Sequence, residues 1–409
     1  MSWTPPRRPR WAQRLIAHGE AAGGAEHLVA LGVDELLETA RSQTGLDDFG
    51  DGPWREPFEL LVRSLVDESN LHLLGRTIVR TEILQCLRSR LQLTELWKQR
   101  PDILGNAIER PVFIVGSPRS GTSILHELMA CDTDTRVPLF WEMQFPYAAA
   151  TGENRAEVAD LVTQFWHDVQ PEYETMHANS GYLPNECIFI MNHAFLSDHW
   201  SGNHCVASYE RSLIASDHRP AYSLHKRFLK TLQQAGGPRR WLLKAPSHFS
   251  QLRALLAVYP DARIVRTHRD PLKTLPSTIN LMGTLKWMRC NRVDMSKTIA
   301  AMPPGYAMLF QMERDWRADG TLPNDQFIDV HFDDIVKHPA DTVRAVYERL
   351  DWSFNDALAT AITDYVAKKP KGSRGVHRYS LADIGLDAAE ERQRFADYTA
   401  HYGVREEND

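Results

Sequence analysis

From Val112 to Ser123 the chain reads Val-Phe-Ile-Val-Gly-Ser-Pro-Arg-Ser-Gly-Thr-Ser, and no other stretch narrows the possible folds as far. Four apolar, mostly β-branched residues predict a buried strand. A loop bounded by Gly116 and Gly121 follows, and Ser123 to Met129 reads as the start of a helix. Strand, glycine loop and helix in that order aim main-chain N–H groups and the positive end of a helix at one point, which suits a phosphate. Gly116 and Gly121 have the spacing of the ATP-binding pattern G-x-x-x-x-G-K-[ST], but Thr122 stands where that pattern needs lysine. The cation sits inside the loop instead, at Arg119. The expectation is a cradle for a nucleotide whose reacting group is not an ordinary γ-phosphate.

The rest of the chain supports an α/β fold, a P-loop-type parallel sheet flanked by helices. Beyond residue 112, predicted strands at 112–115, 241–243, 262–267 and 326–330 alternate with predicted helices at 121–130, 249–258, 273–282 and 340–350. Residues 1–105 read as a helical region packing on that core. Apolar residues recur at three- and four-residue intervals over 28–41, 56–66 and 71–97, and Pro101 closes the last stretch. The segment 141–235 fits the alternation poorly and is rich in aromatic and histidine residues, so it is expected to be a helical insertion. It either packs as ordinary core or lines an acceptor pocket. Residues 366–380 form a basic loop broken by glycine and proline, followed by a final helix near 387–401.

Bulk composition excludes several classes. The 409 residues carry 47 basic and 53 acidic side chains, a net charge of −6, which argues against nucleic-acid or anionic-membrane binding driven by overall charge. No apolar run is long enough to span a bilayer. Although Arg7, Arg8 and Arg10 precede it, the stretch from Trp11 to Glu20 is no apolar signal core, so a cytoplasmic location is expected. Five cysteines without a C-x-x-C pair suggest a reducing compartment and no zinc site. Seventeen histidines show no metal-ligand spacing, and no metal is expected. Oligomeric state stays open.

A second anion site is legible downstream. The strand 262–267 leads into Arg269, with Ser277 eight residues further on in the following helix. Residues just past the carboxyl ends of neighbouring strands converge on one crevice. There Arg269 could fork onto a phosphate, with the Ser277 hydroxyl as a further donor. A nucleotide with a 5′-diester-like group and a separate 3′-phosphate would occupy both sites.

Pro118-Arg119-Ser120-Gly121-Thr122-Ser123 together with Arg269…Ser277 resembles the sulfotransferase family, whose members move a sulfuryl group from 3′-phosphoadenosine 5′-phosphosulfate (PAPS) to an acceptor. The stretches 241–248, 260–265 and 377–386 look like the bacterial-type branch, and the likeness covers roughly residues 75–405, within an α/β domain expected at 106–409. The resemblance implies PAPS as co-substrate and 3′,5′-adenosine bisphosphate (PAP) as product. Pro118 to Ser123 would hold the 5′ end, and Arg269 and Ser277 the 3′-phosphate. It also implies that Lys371 and Gly372, with Lys368 and Lys369, belong to a loop closing over that phosphate.

For catalysis the resemblance points to Arg119 and Lys244 as cations meeting the charge on the leaving phosphate. An attacking hydroxyl needs a general base. Glu142 and His248 are the two main candidates, with Glu186 and His193 behind them. His248 lies four residues after Lys244, where the family's histidine lies two after its lysine. The acceptor is expected to be a small-molecule, lipid or glycan hydroxyl. The alternatives are a P-loop nucleotide kinase or NTPase, for which Asp329 is the only tempting magnesium ligand, and a non-catalytic binder on the same fold.

Overall fold

The computed structural model describes residues 3–146, 154–177, 179–234, 236–237, 240–369 and 380–407. Their strands are β1 (Val112–Val115), β2 (Thr135–Arg136), β3 (Arg240–Lys244), β4 (Arg263–His268) and β5 (Phe327–His331). They form one sheet in the order β2-β3-β1-β4-β5, with every neighbouring pair parallel.

Side-chain alternation explains why β1 is apolar throughout. Val112 and Ile114 enter a cluster with Leu125, Leu128 and Val343, whereas Phe113 and Val115 enter a larger one with Leu243 and Ile264 on the opposite face. Both faces are covered, so all four β1 residues are buried. Register then brings the carboxyl ends together: Ile114 pairs with Lys244 of β3, and Val115 with Arg266 of β4. Loops leaving β1, β3 and β4 therefore share one edge of the sheet.

Helices Arg10–Ala21, Val33–Thr44, Arg55–Asp67 and Leu73–Gln99 share the larger cluster with Phe113 and Val115. The second of these departs from the expected 28–41. Gly32 is extended, so the helix begins only at Val33. The final helix also departs from expectation. It breaks into Ala388–Arg394 and Ala396–Tyr402, and Phe395 between them packs on Phe310 at 6.0 Å.

Helix Ser296–Ala318 was not foreseen, because Pro303 and Pro304 inside it interrupt the usual signal. The described part of 141–235 is built from helices, among them Arg155–Val169 and Arg219–Gln233. No described helix is long and apolar enough to cross a membrane.

Candidate active site

The loop after β1 is shaped by one missing side chain and two unusual backbone angles. A Cβ on Gly116 would overlap Thr267 Oγ1 and come within 2.6 Å of Ser120 Oγ. Ser120 Oγ itself donates to Ser117 O at 2.6 Å and lies 2.7 Å from Thr267 Oγ1, tying the loop to β4. Gly116→Ala is therefore expected to lose about 1–3 kcal/mol of stability, the usual cost of overpacking. Denaturant melts of the variant measure this, and an unchanged midpoint would mean that the loop has room.

Positive φ at Arg119 (69°) and Gly121 (96°) turns successive N–H groups toward one side, as in an anion-binding nest. Thr122, Ser123 and Ile124 then open helix Thr122–Met129, where no helical carbonyl lies four residues back to accept their N–H groups.

Cations from three strand ends meet at this loop. Arg119 donates from Nε to Ser277 Oγ at 3.0 Å and from Nη1 to Met176 O at 3.0 Å. Burial, and then the charge of Arg269, lower its pKa. Arg269 follows β4 and donates from Nη1 to Arg119 O at 2.8 Å, with its guanidinium 3.7 Å over the Phe332 ring. Lys244 ends β3, is 3% exposed, and donates to Ser123 Oγ at 3.2 Å and to Glu186 Oε1 at 2.8 Å.

Glu186 was only a secondary candidate in the sequence, yet it is the carboxylate paired with Lys244. The main chain brings it there: Cys187 N donates to Lys244 O at 2.9 Å, docking the segment against the end of β3. Burial alone would raise its pKa, but Lys244, and then His177 with Nε2 at 3.8 Å, hold it below the usual carboxylate range.

Other expected residues lie elsewhere. Both Glu142 oxygens are engaged structurally, accepting from Arg136 Nη2 at 2.7 Å and from Leu139 N at 2.9 Å at the start of helix Phe140–Gln144. Glu142 lines a separate cavity with Trp141 and Arg155. His248 is fully buried between Tyr222, 2.7 Å from its Nδ1, and the edge of Phe113. Burial holds its pKa well below the imidazole range. His193 is also core, with Nδ1 3.1 Å from Phe189 O and its pKa lowered by burial to about 4.

Glu142, His248 and His193 are thus held by structural partners, and local sequence pattern does not report which face of a helix or turn meets the sheet edge. Lys369 pairs with Glu127 at 2.6 Å, while Lys371 and Gly372 fall outside the described residues. Asp329 is taken up by Arg317, at 2.8 Å to each oxygen, and by His268 Nε2 at 2.8 Å. Among the described residues no group of three or more His, Cys, Asp or Glu is placed to hold a metal ion.

Beside the loop opens a cavity of about 360 Å³. Ser117, Pro118, His177 and Glu186 bound it near the cations, and its walls include Phe189, Leu281, Met302 and Leu309. His177 was not foreseen and carries no motif. It reaches the cavity because Met176, the residue before it, anchors to Arg119.

A family model described as the sulfotransferase family matches residues 111–356, and the chain belongs to that family. Among curated proteins it is similar to the omega-hydroxy-beta-dihydromenaquinone-9 sulfotransferase Stf3 of Mycobacterium bovis and of Mycobacterium tuberculosis. Identity to each is 24% over 262 residues, covering 63% of this chain and 66% of the relative, just short of two thirds of its length. Among solved structures it is similar to the sulfotransferase STF9 of Mycobacterium avium, with 26% identity, a TM-score of 0.75, and coverage of 93% of this chain and 98% of that one. It is also similar to the sulfotransferase STF1 of Mycobacterium tuberculosis H37Rv, with 29% identity, a TM-score of 0.69, and coverage of 90% and 98%.

Proposed function

We propose that this protein transfers a sulfuryl group from PAPS to the hydroxyl of a largely apolar acceptor. One observation carries the reading: Arg119, Lys244 and Arg269, from three separate strand ends, converge on a single glycine loop, and a carboxylate faces the cavity beside them.

The fit of residues to donor follows from charge. N–H groups of the loop and of the first helical turn suit the 5′-phosphosulfate, assisted by the Thr122 and Ser123 hydroxyls. Arg269 and Ser277 suit the 3′-phosphate. Arg119 bonds to Ser277 and lies within the loop, so it spans the two ends.

In the reaction the acceptor oxygen attacks sulfur, a new O–S bond forms, and the bond from sulfur to the 5′-phosphate oxygen breaks. The electron pair of the broken bond stays on the phosphate, giving PAP. Glu186 takes the hydroxyl proton. Lys244 sits between that carboxylate and the loop, 2.8 Å from one and 3.2 Å from Ser123 Oγ. As charge builds on the leaving phosphate, Lys244 is drawn to it, and Glu186 loses the cation that kept it a weak base. Proton acceptance and leaving-group stabilisation are thereby coupled.

The apolar cavity walls favour an acceptor with a hydrocarbon or aryl body, and the named substrate of the Stf3 relatives, a hydroxylated menaquinone derivative, is of that kind. A kinase reading has less support, because Thr122 replaces the required lysine and Asp329 is engaged by Arg317 and His268.

Thermal stabilisation separates the two. PAP without magnesium should raise the melting temperature, with about 2.7 kcal/mol of stabilisation at a hundredfold excess over Kd, while ATP with magnesium does little. The reverse order would overturn the proposal.

A further inference from the structure

The Arg269 guanidinium is already gripped by a carboxylate. Its Nε and Nη2 donate to Glu407 Oε1 and Oε2 at 2.7 and 2.8 Å, a two-pronged pair, while Nη1 is spent on Arg119 O. Glu407 lies on the short segment after helix Ala396–Tyr402, and that segment is positioned by several contacts. Gly403 turns the chain with φ of 62°, and Val404 is buried. Glu407 N donates to Asp270 Oδ2 at 3.1 Å, and Arg392 bonds both oxygens of the same aspartate at 3.1 Å. Asp270 is itself the cap of helix Pro271–Trp287, accepting from Leu272 N at 3.0 Å. Arg269 and Glu407 side chains are each 21% exposed, so the pair sits at the rim of the crevice, within reach of an arriving solute.

We propose that Glu407 is a built-in occupant of the 3′-phosphate subsite, exchanged for the nucleotide's 3′-phosphate on binding and returned on release. This rests on the assignment of Arg269 to that phosphate under Proposed function. A carboxylate and a phosphate dianion cannot share one guanidinium fork, because both need the same paired N–H groups and repel each other at that distance.

Without nucleotide, Glu407 neutralises Arg269 and keeps it aimed at the loop, next to Arg119, whose own charge is disfavoured by burial and by Arg269. With nucleotide, residues 405–407 move aside while Val404 stays anchored in the core. The exchange weakens every ligand that carries a 3′-phosphate, PAP included, and leaves ligands lacking one untouched.

Calorimetric titration of the full chain with PAP and with 5′-AMP tests this. Glu407→Gln and Glu407→Ala should each tighten PAP by about three- to tenfold, the scale of a partly exposed ion pair. Neither should change 5′-AMP affinity. Glu406→Gln serves as the control, since the neighbouring Glu406 carboxylate pairs with Arg392 at 3.6 Å, whereas that of Glu407 pairs with Arg269. Its PAP affinity should match that of the parent protein.

Unchanged or weaker PAP binding in the Glu407 variants would overturn the inference, as would an equal gain for PAP and 5′-AMP. Arg269→Ala tests the underlying assignment separately. If the parent protein's preference for PAP over 5′-AMP survives that change, Arg269 does not hold the 3′-phosphate, whatever the Glu407 variants do.

Discussion

Glu186→Gln is expected to lower turnover by about 10²–10⁴-fold, the usual contribution of a positioned general base, while PAP affinity stays at the level of the parent protein. The amide keeps the size of the side chain and can still accept from Lys244, so the loop and its cations remain in place. What is lost is the ability to take a proton. Because Lys244 and His177 hold the carboxyl below the usual range despite burial, Glu186 is ionised throughout the neutral region. Turnover should therefore stay flat from neutral pH down through the ordinary glutamate range and fall only below it. Stability follows the same sign: the Glu186 contribution is present above the unfolded carboxyl's pKa and disappears as pH drops through the lowered folded value. A variant that turns over at the parent rate would pass the base role to His177, whose Nε2 lies 3.8 Å from Glu186 Oε1.

Lys244→Met has a comparably large expected effect, with two separable parts. The first is catalytic: removing a fixed cation from the leaving phosphate should cost about 10²–10³-fold in turnover. The second is structural. Lys244 is 3% exposed and Glu186 15%, so the single variant strands a carboxylate with no nearby lysine, a loss of about 3–5 kcal/mol in comparable buried pairs. The double variant Lys244→Met with Glu186→Gln should recover most of that stability, because the uncompensated charge is gone, and recover none of the turnover. Chemical denaturation alongside PAPS turnover measures both. Turnover regained in the double variant would overturn both assignments, Lys244 at the leaving group and Glu186 as the base.

The part of the site proposed for the nucleotide is more legible in the sequence than the part proposed for the acceptor. Residues 112–115 are the observed limits of β1, and β3, β4 and β5 fall within one or two residues of expectation, because a short apolar run ending in a glycine or a charged turn is a local signal. Arg269 and Ser277 lie near the loop for the same reason: both sit at fixed distances from the end of one strand. Glu142 drew attention by following the loop's helix, but it closes the first turn of a short helix and pairs with Arg136. His248 drew attention by its distance from Lys244, yet the turn after β3 directs it into the core under Phe113. Glu186 meets Lys244 across 58 residues of chain, and Glu407 meets Arg269 across 138. No periodicity links residues so far apart.

The order of residues alone specified the short apolar strands, the turn between Gly116 and Gly121, and Arg119, Lys244 and Arg269 at or just past strand ends, since each of those signals lies within about a dozen consecutive positions. Which carboxylates meet those cations was decided only by tertiary packing. An ion pair depends on separation in space, and the register of β3 beside β1, together with the docking of Cys187 and Val404, sets that separation.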